Sequence, residues 1–263
     1  MPEGHSIHRL ARRHRRDLVG RRVRASSPQG RFAEGAALID GQILDATDAW
    51  GKHLFHRYGD LWLHVHLGLY GKFRDGAGAA PDPVGALRLR LVAGERWLDL
   101  RGPTACEVLS EDERSIVLSR LGPDPLRRGA DPAPAAARIS RSRRSIGGLL
   151  MDQQVLAGVG NVYRAEVLFR HEVSPFLAGR DVAPEVWRAM WDDLVVLMRA
   201  GARAGRIVTT EPEDRARPAG RPRRVDAHYV YGRAGLPCRR CGTLVESAAM
   251  EARTLYWCPV CQA

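Results

Sequence analysis

The chain is almost without lysine. Its 41 basic residues include only Lys52 and Lys72 as lysines, and the other 39 are arginines (41 less 2). Arginine keeps its proton and serves phosphate well, but it cannot readily act as an amine in chemistry. Lys52 and Lys72 are therefore candidates for work that arginine cannot do. Cysteine is also scarce, with five residues, too few for a small disulfide-stapled secreted scaffold. No apolar run approaches the roughly 20 residues of a membrane-spanning helix. The N-terminus lacks the apolar segment of a secretory signal, so a reducing cytoplasm is expected and disulfides are not. Negative charge is in the minority: the formal net charge is +11. That balance favours a polyanionic partner. Nucleic acid is preferred to a membrane surface, because the positive charge is not gathered on one amphipathic helix with bulky apolar residues opposite.

Four of the five cysteines form two pairs, Cys238-Arg239-Arg240-Cys241 and Cys258-Pro259-Val260-Cys261, separated by sixteen residues. Each pair places two thiolates on one tight turn, and a tetrahedral ion takes four, so one structural zinc is expected in a terminal ribbon. Two disulfides are the alternative, disfavoured in a reducing compartment. A zinc held by four thiolates has no open position and takes no part in bond breaking. Cys106 is left over and reads as a small buried residue.

The pattern along the chain predicts an α+β protein. Residues 5–18 place Ile7, Leu10, Ala11 and Leu18 on one side of a helix with arginines around the rest. Residues 21–109 change to period two, with hairpins turning at Gly59-Asp60 and Ala93-Gly94, which predicts a sandwich of two sheets. His64 and His66 share one strand face and, lacking a third ligand nearby, read as sheet residues. Prolines and glycines between 121 and 134 leave no room for a regular element. Helical periodicity follows: a segment ending at Arg170, and another from Pro184 to about Ala202 with Trp187, Met190, Leu194 and Leu197 as its core stripe. In front of the first of these Asn161 reads as an N-cap, after a Gly158-Val159-Gly160 turn that could cradle phosphate. Residues 203–224, rich in Arg, Pro and Glu, read as a mobile loop. The expected domains are 1–121, a linker at 122–137, a helical domain at 138–225 and a ribbon at 226–263.

Three separated pieces coincide: Met1-Pro2-Glu3-Gly4, Gly158-Val159-Gly160-Asn161-Val162-Tyr163 with Glu166, and Arg253-Thr254 before Cys258-Pro259-Val260-Cys261-Gln262. Together they resemble the formamidopyrimidine-DNA glycosylase / endonuclease VIII family of bacterial base-excision repair, and the likeness covers essentially the whole chain. The resemblance implies an N-terminal catalytic β-sandwich, a helix-two-turns-helix DNA-binding domain and a zinc ribbon. It implies a bifunctional DNA glycosylase and abasic-site lyase acting on damaged DNA in the bacterial cytoplasm at the nucleoid, as a monomer without a small-molecule cofactor.

The resemblance also implies roles. Pro2, exposed by removal of the initiator methionine, is the nucleophile; a free α-amine has a pKa near 7.7–8, so a useful fraction of it is unprotonated at neutral pH. Glu3 is the general acid and base. Lys52, in Trp50-Gly51-Lys52-His53, contacts phosphate and moves protons in the elimination, whereas Lys72 has no counterpart and stays a candidate phosphate contact. Leu69 and Tyr70 fill the hole left by a flipped base. A glutamine often precedes this Leu-Tyr pair in the endonuclease VIII branch; here Gly68 stands there, and no hydrogen bond to the opposite base is expected from it. Arg120 and Asn161 hold DNA phosphates, Arg253 acts at the lesion's phosphate, and Glu166 is structural. Pro2-Glu3-Gly4 with Leu69-Tyr70 favours the branch that takes oxidised pyrimidines. The branch that takes 8-oxoguanine is the alternative, and a non-catalytic zinc protein that binds damaged DNA is the rival of another class.

Overall fold

The computed structural model describes residues 2–220 and 222–263. The chain forms two compact units that divide between Arg120 and Leu121. Each has its own apolar core.

The first unit opens with α1 (Gly4–Leu18), which buries Ile7, Ala11 and Leu18 and turns most of its arginines to solvent. After β1 (Arg24–Ser26) and α2 (Ala33–Ile39) come β2 (Ala46–Trp50), β3 (His53–Tyr58), β4 (Leu61–His66), β5 (Lys72–Ala77), β6 (Leu87–Ala93), β7 (Arg96–Arg101) and β8 (Ala105–Leu109). They build two antiparallel four-stranded sheets, ordered β1-β6-β7-β5 and β2-β3-β4-β8. Strict alternation along β6, with Leu87, Leu89 and Leu91 inward, supplies one inner face; Leu54, Leu63 and Val65 belong to the same core. The tight β3–β4 and β6–β7 turns need positive φ, and glycine supplies it at Gly59 (58°) and Gly94 (58°). A Ser110–Glu113 capping box starts α3 (Glu111–Ser119). Val117 and Leu118 of that helix pack on Phe55, Trp62 and Leu109, on the outer face of the second sheet.

The second unit holds α4 (Ala133–Ile139), α5 (Ile146–Leu149), α6 (Asn161–Arg170) and α7 (Pro184–Ala204), then a hairpin of β9 (Glu246–Met250) and β10 (Arg253–Trp257). Tyr163, Val167, Trp187, Met190 and Leu194 share its main core. The helix α7 ends at Gly205, whose φ of 74° makes it a left-handed cap. A smaller core of Phe169, Tyr229, Val230, Cys238, Val245 and Cys258 ties the ribbon to α6. Among the described residues no helix is long and apolar enough to cross a membrane.

Three local expectations change. Helix α4 starts at Ala133, inside the stretch read as irregular, because Pro134 falls in the first turn, where a missing N–H costs nothing. The N-cap of α6 is Gly160, and Asn161 is already helical. The 203–224 segment is fastened near its middle: the Thr210 hydroxyl donates to the Asp226 carbonyl at 2.6 Å, and Arg170 donates to Glu211 at 2.8 Å.

Candidate active site and nucleic-acid interface

At the head of α1, Glu3 is the N-cap residue and is fully buried; the amide and hydroxyl of Ser6 both donate to its carbonyl oxygen, at 2.9 and 2.8 Å. Pro2, immediately before it, is half-buried. Burial lowers the next side chain, His5, to a pKa of about 4, so it stands neutral. Helix α1 packs on β2 and β3, and the Thr47 hydroxyl donates to the Ala11 carbonyl at 2.8 Å. Strand β2 leads into the turn that carries Lys52, which Gly51 makes with a φ of 57°.

The segment after β4 is a second turn at the same end of the sheet, since His53 and His66 are cross-strand partners. It closes by a Gly71 N–H to Leu67 carbonyl bond of 2.9 Å. At its tip Leu69 is 44% exposed and Tyr70 is 85% exposed. Neither lies in a strand or packs as core, so the turn offers an apolar and an aromatic side chain to solvent. Gly68 precedes them with a φ of 63°, and a Cβ there would meet the Thr104 hydroxyl at 1.9 Å. The backbone therefore disfavours a glutamine at this position, which would strain the turn and displace the Thr104 side chain.

The histidines read as sheet residues are in the sheet, but spacing alone missed how they connect. Registers His53↔His66, Phe55↔His64 and His64↔Glu107 put these side chains on one face. Glu107 bonds His64 Nδ1 at 2.8 Å, His64 Nε2 meets His53 Nδ1 at 2.8 Å, and His66 Nδ1 meets the Lys52 carbonyl at 3.2 Å. Cross-strand pairing could have shown this in the sequence, because alternate residues of a hairpin meet face to face.

In the second unit the expected phosphate residues gather where α6 meets the hairpin. The Asn161 side-chain amide donates to the Thr254 carbonyl at 2.9 Å, and its oxygen accepts from Arg164, a fully buried guanidinium. Arg253 follows the two-residue turn Glu251-Ala252, both at positive φ (53° and 54°), the strained form of a type I′ turn without glycine. Its Nη1 donates to the Ala252 carbonyl at 2.8 Å. Arg144 fastens the turn by donating to Glu251 at 3.1 Å and to Asp152 at 2.9 Å. The glycine turn before α6 is not an open cradle: the Gly158 amide donates to Gln153 Oε1 at 3.0 Å. Arg120, the C-cap of α3 in the first unit, is exposed. Glu166 is a staple. Its carboxylate accepts the amides of Tyr229, Val230 and Tyr231 at 2.7, 2.9 and 2.8 Å, plus the Thr209 hydroxyl.

The four ribbon thiols converge, with all Sγ atoms within 4.8 Å of one another. Cys238 and Cys261 are 3.9 Å apart, and Cys241 and Cys258 are 3.5 Å apart. A tetrahedron with Zn–S bonds of about 2.3 Å has edges of about 3.8 Å, so the donor set and spacing fit one zinc ion. Amides of Arg240 and Cys261 point at Cys238 and Cys258 sulfurs, at 3.4 and 3.5 Å.

Comparison with known proteins agrees with this arrangement. Residues 1–106 match the formamidopyrimidine-DNA glycosylase N-terminal domain, 121–212 the H2TH domain of the same glycosylase, and 235–263 the zinc finger found in FPG and IleRS. Endonuclease 8 1 of Mycobacterium tuberculosis is 52% identical, over 100% of both chains. The chain belongs to the formamidopyrimidine-DNA glycosylase / endonuclease VIII family. A formamidopyrimidine-DNA glycosylase of Thermus thermophilus is 34% identical over 100% of this chain and 98% of its own length. The solved MutM (Fpg) protein of that organism superposes with a TM-score of 0.80 at 31% identity, over 99% of this chain and 98% of that one. Higher identity to an endonuclease 8 than to a formamidopyrimidine glycosylase favours the endonuclease VIII branch within the family.

Proposed function

We propose that the chain excises oxidised bases from DNA, pyrimidines foremost, and then cuts the strand at the abasic site. The observation that carries this reading is the head of α1, where proline at position 2 adjoins a fully buried carboxylate at position 3. With Met1 removed, the Pro2 secondary amine attacks the sugar C1′ and the base leaves. The product is a cationic iminium, an electron sink that lets the 3′ and then the 5′ phosphate depart by β- and δ-elimination. Glu3 protonates the sugar ring oxygen as the ring opens and stabilises the cation beside it. Lys52 holds a flanking phosphate and takes part in proton transfer. Leu69 and Tyr70 enter the stack in place of the extruded nucleotide, offsetting a few kcal/mol of lost stacking. Arg120, Asn161 and Arg253 bind phosphates, and the second nitrogen hydrogen of the Asn161 amide is the one offered to DNA. Cys238, Cys241, Cys258 and Cys261 hold zinc, which orders the ribbon that presents Arg253. The working form is a monomer on damaged DNA in the cytoplasm.

Borohydride reduction tests the chemistry. Wild-type protein mixed with duplex containing an oxidised pyrimidine or an abasic site should give a covalent adduct, and Pro2→Gly should give none. Absence of adduct from the wild type with every lesion would leave only the non-catalytic binding role. A panel of thymine glycol, dihydrouracil and 8-oxoguanine tests the base. Preference for 8-oxoguanine opposite cytosine would overturn the pyrimidine assignment.

A further inference from the structure

Strands β3, β4 and β8 carry a connected row of polar side chains on their outer face, running from an exposed carboxylate to the turn that holds Lys52. Glu107 lies at the outer end with its side chain half exposed. It accepts from Nδ1 of His64, a buried residue. With Nδ1 donating, a neutral His64 has only an acceptor at Nε2, so the 2.8 Å contact there must be a donation from His53 Nδ1. Each link fixes the tautomer of the next, and the His53 ring is thereby set in one orientation directly after Lys52.

Packing holds the same rings. Phe55 stacks on His64 with centroids 4.9 Å apart, and His53 lies 5.0 Å from His64 and 4.8 Å from His66. The Arg114 guanidinium covers Trp62 at 4.0 Å at the far end of the row. His66 completes the connection by donating Nδ1–H to the Lys52 carbonyl, and the residues that follow it form the Leu69-Tyr70 turn. Rings held neutral suit this role, since a His64 protonated on both nitrogens would leave the His53 donor no acceptor. Burial does hold them so: it lowers His64 and takes His53 to a pKa of about 3.

We propose that His53 is a positioning residue for Lys52, held in register by the Glu107–His64 relay, and that this relay sets the geometry of the elimination step. The inference rests on the role given to Lys52 above. Neither His53 nor His64 is assigned contact with DNA or with reacting atoms. A misplacement of about 1 Å at a reacting group can cost a hundredfold in rate. Removing one link of a relay that is otherwise retained should cost about tenfold.

The test uses full-length protein with zinc and a duplex containing a preformed abasic site, so that strand cutting is read without base excision. His53→Phe keeps a stacking ring but loses the donor, and should lower the single-turnover cutting rate about tenfold while DNA affinity stays within about twofold. In His53→Asn the side-chain amide nitrogen can stand where Nδ1 stood, and most of the rate should return. Glu107→Ala, at an exposed site that tolerates change, should lower the rate in the same direction by about threefold. In a Lys52→Ala background none of the three should have further effect, because residues acting through one group are not additive. Equal losses with and without Lys52, no rescue by asparagine, or a full-rate His53→Phe would each overturn the proposal. Wild-type adduct formation is measured in parallel, so a failure of the relay is distinguished from a failure of the proline chemistry. If His53→Phe does not fold, as judged by its thermal transition, the Glu107→Ala and Lys52→Ala cycle decides alone.

Discussion

Gly68 and the buried histidines show how single residues limit what the first unit can do. At Gly68 the backbone is left-handed and the Thr104 hydroxyl occupies the space of a side chain. Gly68→Gln should cost about 1–3 kcal/mol of stability from strain and displacement of the Leu67–Gly71 turn. It should weaken excision along with stability, and a glutamine variant of full stability and activity would show that the turn can rearrange. A second consequence lies in the core. His14 and His56 bond ring to ring at 3.0 Å, both fully buried, and His5 is buried nearby in sequence at the head of the same helix. Burial lowers His14 well below its ordinary value and takes His56 and His5 to about 4. The folded form therefore binds fewer protons than the unfolded chain. The stability of the neutral rings is complete above about pH 6.5 and is lost as pH falls toward about 4, by up to about 1.4 kcal/mol per pH unit for each ring. The melting temperature should drop steeply across that range, and His14→Phe should flatten the drop. A melting temperature independent of pH between about 6.5 and 4.5 would contradict it.

At the scale of elements, the join between α6 and the ribbon is made by one carboxylate. Glu166 satisfies three consecutive amides, residues 229–231, at the point where the chain enters the ribbon. Glu166→Gln keeps the shape but turns a donor toward these donors, and hydrogen bonds to a charged acceptor are worth about 1.5–3 kcal/mol each. A loss of about 2–4 kcal/mol is expected, with faster amide exchange at residues 229–231 and weaker DNA binding. Unchanged exchange at those amides would remove the staple. This element also separates what could be read from the sequence and what could not. Strands and α7 were legible, because period two along Leu87–Ala93 and the Trp187–Leu194 stripe each bury one face. The four cysteines were legible from spacing alone. The cap at Gly160 was hidden, since Asn161 has the chemistry of a cap yet its side chain is taken by Thr254, 93 positions away. The anchored 203–224 segment was hidden for the same reason: a local composition rich in Arg and Pro says nothing of the distant Asp226 and Arg170 that fasten it.

For the whole molecule, the decisive fact is that the two units have separate cores. The ribbon's own apolar cluster is small and includes two of the zinc-ligand cysteines, Cys238 and Cys258. Four thiolates brought within 4.8 Å without a cation would repel one another, so the ribbon depends on its metal far more than the sandwich depends on it. The residues proposed for chemistry in the first unit, Pro2, Glu3 and Lys52, lie in a sandwich where, among the described residues, no cluster fit to hold a metal ion occurs. Chelation of zinc at neutral pH should therefore abolish tight DNA binding and strand cutting while the N-terminal sandwich stays folded. Amide exchange read strand by strand distinguishes the two outcomes, because β6 and β7 belong to the sandwich and β9 and β10 to the ribbon. With a chelator present, amide exchange in β6 and β7 should remain slow while β9 and β10 become unprotected, and added zinc should restore both protection and activity. Binding at low salt should fall to a weak, sequence-independent level set by the remaining arginines, and it should lose salt sensitivity by about 0.9 in log–log slope for each phosphate contact removed. Loss of protection throughout the sandwich on chelation would mean that the metal supports the whole fold, and would end the assignment of zinc to the ribbon alone.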